Sequence, residues 1–388
     1  MNNGLRFWVF LCLTDMKLAV LSNFRYMKLK KKAWLAAFLL ILSLIIHLYS
    51  LSKIRVETGY STHFFPAFSA FLRGIFGKIS FSVGDILYGL LVCWLTWRLA
   101  RFSKKMFRKR PGISRKQVLA DSFINAFIFC SCIYIIFNVF WGINYNRIGI
   151  AWQLGLKMEK YDATDLKKLN GMLVENLNAY KKMLAESRKA YPSNSELFVM
   201  VENAYGDVQA RYPYLKYQPV SIKPSLWGWL GNYTGFTGYY NPFTAEAQLN
   251  ATVPKFLHPF IACHEVAHQI GYAKEMEANF VGYLAASNSR DPLLRYSVYL
   301  DLFVYSYRNL FITDSLSAKQ FKDQLSPAVM ADLKEWSEFN KNHQSIVEPV
   351  IRAIYGLYLE GNQQPEGVLS YDEVTGFVIA YYKKFGKI

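Results

Sequence analysis

Three apolar runs within the first 142 residues constrain this chain more than any other feature. Trp34–Leu51 has 18 residues and no Asp, Glu, Lys or Arg. Phe81–Leu99 has one acid near its start, Asp85, and Arg98 near its end, and Phe123–Gly142 carries no charge. Each is close to the ~20 residues that cross a bilayer core. Trp34, Trp94, Trp97 and Trp141 stand near run ends, where amphipathic rings favour the headgroup boundary. Backbone polar groups in lipid must be satisfied within the segment, so the runs are expected to be helices. Spans at 34–51, 81–99 and 123–142 make residues 27–142 a membrane domain embedded in a lipid bilayer. Residues 143–388 are left as a second domain outside it.

The charge distribution fits that division and orients it. Residues 1–142 carry 20 Lys/Arg against 4 Asp/Glu, whereas residues 143–388 carry 25 against 24. A basic excess confined to the apolar half reflects topology, and nucleic acid is not expected as a partner. Arg25, Lys28, Lys30, Lys31 and Lys32 precede the first span, and nine Lys/Arg lie between Arg98 and Lys116. The loop between the first two spans holds only Lys53, Arg55, Arg73 and Lys78, with Glu57. Positive residues stay on the cytoplasmic side, so the N-terminus is expected to be cytoplasmic and the C-terminal domain periplasmic or extracellular. Residues 1–26, whose apolar run Asp15 and Lys17 interrupt, read as a leader or a mis-assigned start before Met27. Cys12, Cys93, Cys130 and Cys132 lie in the leader or the apolar segments, which leaves Cys263 alone in the polar half and no disulfide framework to read.

The second half reads as mainly helical with a small sheet. Helices are expected over Asp162–Ala190, Asn194–Arg211, Pro254–Ile270, Lys274–Asn288, Pro292–Phe311, Pro327–Asn340, Ser345–Leu359 and Tyr371–Phe385. Val220–Lys223 is a candidate strand, and the Gly-, Tyr- and Thr-rich stretch Tyr233–Ala251 suits strands and turns. The expected fold is an α-rich α+β domain behind three transmembrane helices.

Chemistry concentrates in Ile261–Gly282, which contains His264-Glu265-Val266-Ala267-His268. Positions i and i+4 of a helix share a face, so His264 and His268 can direct neutral imidazoles at one Zn2+ ion. Glu265 can reach a water on the open side of that metal and take its proton as the metal lowers the water's pKa. This is the metallopeptidase pattern. A tetrahedral site needs a third protein ligand. Gly271 can end the helix in a left-handed conformation, and a second helix starting near Lys274 carries Glu275, Glu277 and Asn279. Glu275 and Asn279 share one face of it. The turn cannot be phased from sequence, so Glu277 stays open as an alternative metal ligand. Cys263, about 100° around the helix from His264, reads as a packed apolar residue, and His258 as a loop or capping residue. Lys274 stands where a metzincin would place its third histidine, and lysine is a poor zinc ligand, so that class is not supported.

The paired motifs resemble the gluzincin class of zinc peptidases, whose third ligand is a glutamate on the following helix. The run Glu275-Met276-Glu277-Ala278-Asn279 is similar to the E-x-x-A-D/N stretch of membrane CAAX proteases and of bacterial repressor-cleaving metallopeptidases. The resemblance implies Glu275 as third ligand and Asn279 as the residue orienting a ligand histidine. Asn stands here where many members have Asp. Three N-terminal spans, GFTGYYNPFTAEAQLN (235–250), the zinc motif and GNQQPEGVLSY (361–371) together resemble a family of bacterial inner-membrane proteins. That family is known only as a domain of unknown function with a zinc-peptidase motif. The resemblance implies a cytoplasmic-membrane location and no particular substrate.

The leading expectation is a membrane-anchored zinc metallopeptidase that hydrolyses peptide or protein substrates on the outer side of the membrane. Gly235–Asn250 lies where zincins place the strand bordering the cleft, and Tyr239, Tyr305, Tyr307, His343 and Tyr371 are candidates for stabilising an oxyanion. The alternative is a non-catalytic membrane scaffold with a structural or vestigial zinc site. An intramembrane protease fits poorly, because Pro254–Tyr272 contains Lys255, His258, Pro259 and Gln269, too polar for a lipid-facing span.

Overall fold

A helix satisfies its own backbone whether lipid or water surrounds it, so apolar runs need not end where their helices do. The computed structural model describes residues 29–107, 114–364 and 373–388. The 1–26 leader, Tyr371 and most of the 361–371 stretch lie outside the described residues. Among the described residues, three helices are long and apolar enough to cross a membrane: α1 (Leu29–Ser50), α4 (Val83–Phe107) and α5 (Arg115–Phe140). The first begins before the expected Trp34. The second runs on through Arg101, Lys104 and Lys105, and the third starts with Arg115 and Lys116. Charged turns thus extend the helices past their apolar stretches. At most 11% of each apolar window is buried against protein, as expected of surfaces that face lipid and not of core helices.

The chain separates into two compact units. The first holds the described residues up to Tyr49 and Leu90–Val139. Within it Lys32 pairs with Asp121 at 2.5 Å, and Trp94 lies against Phe129.

The second unit holds Ser50–Gly89 and Phe140–Ile388, so the loop between the first two spans belongs with the C-terminal half. That loop is helical: α2 (Lys53–Arg55), a π-helical stretch Val56–Phe64 and α3 (Phe65–Phe76). A four-residue α6 (Ile150–Gln153) precedes α7 (Ala163–Ser187) and α8 (Asn194–Arg211). Both long helices open with capping boxes, Asp162 with Asp165 and Ser193 with Glu196. Three short strands form one sheet in the order β1-β3-β2. β1 (Ile222–Pro224) runs parallel to β3 (Glu246–Leu249), and β2 (Gly238–Asn241) pairs antiparallel on its other side with Tyr239 opposite Gln248. The sequence placed the first strand two residues early; Pro224 lies within it, at the sheet's edge, where a missing N–H is tolerated. A short α9 (Gly228–Thr234) connects β1 to β2.

The centre of this unit is α10 (His258–Gln269) against α11 (Glu275–Asn288), with α12 (Pro292–Thr313) beside them. All twelve residues of α10 are buried. Val266, Ala267, Phe280, Val281 and Leu284 pack in a core that also includes Leu173 of α7 and Val201 of α8. A Cβ on Gly282 would lie 3.1 Å from the His264 backbone nitrogen, so glycine sets how closely the two helices approach. α13 (Ser315–Asp323), α14 (Pro327–Asn342), α15 (Glu348–Gly361) and α16 (Val374–Phe385) complete the unit.

Candidate metal centre and its cleft

The turn expected at Gly271 has φ +100°, and Tyr272 N–H bonds back to the Ala267 carbonyl at 3.1 Å. This left-handed C-terminus brings the start of α11 back onto α10. His264, His268 and Glu275 thereby present three ligand atoms within 4.8 Å of one another. Glu275 Oε2 stands 3.2 Å from His264 Nε2 and 3.3 Å from His268 Nε2. The two imidazoles lie edge to face, their centroids 4.7 Å apart.

The protons show what that space suits. His268 Nδ1 is 2.7 Å from the Tyr272 carbonyl, which can only accept, so Nδ1 carries the hydrogen of the neutral ring. Nε2 then turns its lone pair toward the Glu275 carboxylate. Two facing lone pairs repel unless a proton or a metal cation lies between them, and a divalent ion with two nitrogens and one carboxylate oxygen is one group that meets that requirement. Glu275 is itself held: Tyr355 Oη donates to its Oε1 at 2.6 Å, and its backbone N–H donates to Gln364 Oε1 at 2.8 Å. Burial opposes its charge, but the two histidines hold its pKa well below the usual carboxylate range. Burial also opposes charge on His264, yet the hydrogen bond to Glu275 and the charges of Glu265 and Glu275 push its pKa up to about 9. The cluster favours positive charge at its centre.

Glu277 does not join this cluster. One residue in two along a helix points about 200° away, and its carboxylate lies against Gly149, where an added Cβ would meet Oε1. Its electrostatic neighbours are Lys274, Arg147 and Glu57, and burial raises its pKa. Asn279, one turn beyond Glu275, is next to His264 and helps to raise its pKa. His258 begins α10 with Nε2 2.8 Å from the Val253 carbonyl. Cys263 is buried in the core, and burial pushes its thiol pKa far up.

Glu265 faces a cleft of about 560 Å³ together with His264, Gly238, Asp301, Tyr305 and Tyr355. Burial raises its pKa to about 7, against the opposing pull of His264 and His268. β2 is an edge of the three-stranded sheet and starts at Gly238, where a Cβ would come 2.6 Å from Glu265 Oε1. Glycine there lets the carboxylate lie beside the strand. Of the tyrosine and histidine candidates, Tyr305 lines this cleft. Tyr239 instead hydrogen-bonds Asp85 and Ser225. Tyr307 lines a separate surface hollow, and His343 Nδ1 is 2.8 Å from the Phe339 carbonyl.

Sequence spacing gave no signal for four groups that hold the site. Trp141 Nε1 donates to the His268 carbonyl at 3.1 Å. Arg73 Nη1 reaches the Gln269 carbonyl at 3.2 Å and Ser69 Oγ donates to it at 2.9 Å. Arg147 Nη1 donates to the Gly271 carbonyl at 3.0 Å. The last carbonyls of α10 have no partners within the helix, and these cationic and polar donors satisfy them. Arg147 in turn pairs with Glu57 at 2.7 Å. Glu57 also accepts from the backbone N–H groups of Ile148 and Gly149 and from Gln153. All these partners lie more than 70 residues from α10, so only tertiary structure reveals them.

The family model described as "Protein of unknown function (DUF3810)" matches residues 60–379, a span that contains the whole cluster. No curated protein and no solved structure matches the chain.

Proposed function

We propose that this chain, which belongs to the DUF3810 family of proteins of unknown function, is a membrane-anchored zinc metallopeptidase of gluzincin-like arrangement. The observation that carries the reading is the convergence of His264 Nε2, His268 Nε2 and Glu275 Oε2 beside a cleft that Glu265 faces. His264, His268 and Glu275 would hold Zn2+, with Asn279 and Tyr355 orienting His264 and Glu275. A bound zinc ion supplies Lewis acidity, lowering the pKa of a water and polarising a substrate carbonyl. Glu265 takes the proton from the attacking water and passes it to the leaving nitrogen. The free edge of β2 pairs with an extended peptide by strand addition and lays it across the cleft. A structural zinc site has no need of a buried carboxylate beside the metal, which favours the enzyme over the scaffold. The basic residues before α1 and between α4 and α5 favour an orientation with residues 143–388 outside the cytoplasmic membrane of a bacterium.

Plasma mass spectrometry of the detergent-purified protein is expected to find about one zinc per chain, as a single three-ligand site requires. His264→Ala and Glu275→Ala remove it, and Glu277→Ala keeps it. Glu265→Gln retains zinc and lowers peptide hydrolysis by roughly 10²–10⁴-fold. Correctly folded protein that takes up no zinc, or a Glu265→Gln variant with undiminished hydrolysis, would end this reading.

A further inference from the structure

α15 has two faces of opposite character. Glu348, Ile351, Arg352 and Tyr355 line the cleft. Val350, Ile354 and Leu357 fall within an arc of about 60° at ~100° per residue, turned away from the cleft face, and Ile346 stands in the bend just before the helix. These four are 58%, 62%, 69% and 93% exposed. An apolar stripe of this length turned to solvent marks a surface that something covers.

The neighbouring α9 continues the patch. Trp227, Trp229, Leu230 and Tyr233 are all exposed, and α9 packs beside α15, with Ser345 Oγ donating to the Tyr233 carbonyl at 2.6 Å. α9 is also tied to the first turn of the apolar helix α4. Leu226 N–H donates to Asp85 Oδ2 at 2.7 Å, and Trp227 Nε1 donates to the Asp85 carbonyl at 3.2 Å. The patch therefore grows outward from the point where a membrane-crossing helix begins. Tryptophan, tyrosine and branched aliphatics in that position are the composition of a bilayer boundary, and an amphipathic helix with one apolar face lies in its plane.

We propose that α9 and the outer face of α15 insert into the interfacial layer of the bilayer, next to the start of α4. α15 then forms the wall between lipid and cleft, and the cleft opens at the membrane surface. The surface is argued independently of any hydrolytic activity. Its occupant is lipid; the competing occupants are a second copy of the chain and another segment of the same chain.

The test uses the full chain in phosphatidylcholine–phosphatidylglycerol vesicles, after replacing native cysteines that label. An environment-sensitive fluorophore is attached to Val350→Cys, Ile354→Cys and, as a control on exposed α7, Lys182→Cys. The two α15 labels are expected to emit to the blue of the control and to lose most of their intensity to lipids carrying a doxyl quencher near the headgroup. The control emits as in water and is not quenched. Aqueous emission at 350 and 354 overturns the proposal. So does a blue-shifted label that resists doxyl lipid, whether the shielding depends on protein concentration, as a second copy requires, or does not, as a segment of the same chain requires.

Discussion

The two ends of the His264–His268 helix are built by opposite means. At its C-terminus, buried polar groups do the holding: Trp141, Arg73, Ser69 and Arg147 satisfy the carbonyls of His268, Gln269 and Gly271. Glu57 balances Arg147 with both partners almost fully buried. On the cleft side the walls are a glycine-led edge strand and α15, whose outer face is apolar and exposed. Under the proposed function, the ligand atoms are therefore fixed from the side away from the cleft. A metal site needs its ligands held closely, and the supporting hydrogen bonds do that where burial makes them strong.

Breaking the buried end should have the largest effect on the fold. Glu57→Gln takes from the Arg147 guanidinium its hydrogen-bonded counter-charge in a dry environment, leaving Glu277 as an acidic neighbour, and removing one member of a buried pair costs about 3–5 kcal/mol. Denaturant unfolding in detergent is expected to show a loss of that size and, under the proposed function, a parallel loss of bound zinc. An effect within the ~0.5 kcal/mol typical of surface substitutions would mean that the loop between the first two spans does not support the site.

A smaller effect is expected at the junction of the two sides. Tyr355→Phe removes the hydrogen bond to Glu275 Oε1 but leaves the ligand in place. Loss of such an outer contact typically lowers metal affinity about 10–100-fold, which chelator competition would measure. Unchanged affinity would assign the hold on Glu275 to the deep side alone. Gly238→Ala probes the cleft side directly. Its new Cβ would crowd Glu265 Oε1, 2.6 Å away, so hydrolysis should fall while zinc content stays constant. Equal losses of both would show that β2 supports the metal as well as bordering the cleft.

How much of this was legible in the sequence follows the same division. Local features were readable: three apolar runs, the capping residue before α7, the glycine that ends α10 and the i, i+4 histidines. Each depends on residues within a turn or two of one another. Glu275 and Glu277 could not be separated by spacing, since their roles depend on how the Gly271 turn orients α11 against α10. Glu57, Arg73, Trp141 and Tyr355 were invisible because their partners are distant in sequence and their residue types are common. The loop between the first two spans read as a connector, since its few charges carry no period. Its helices are specified by burial against the C-terminal half, with Ser69 and Arg73 fully engaged there. α15 was placed within a few residues of its observed ends, but a sequence pattern cannot say which face a cleft takes and which is left outward.

The last prediction concerns a charge the cleft wall leaves almost alone. Asp301 on α12 lines the cleft, its Oδ2 is buried without a hydrogen-bond partner, and burial raises its pKa from 3.8 to about 7 against the pull of His264. A carboxyl whose folded pKa exceeds its unfolded value binds more protons when folded. It therefore supports the fold below about pH 4, and that contribution is lost as the pH rises to about 7. Asp301→Asn removes the titration. The variant should be more stable than the parent above pH 7, and the gap should shrink toward pH 4, as read from parallel denaturant titrations at the two limits. If the gap is independent of pH, Asp301 is paired in solution, and the cleft wall is as fully satisfied as the buried end of α10.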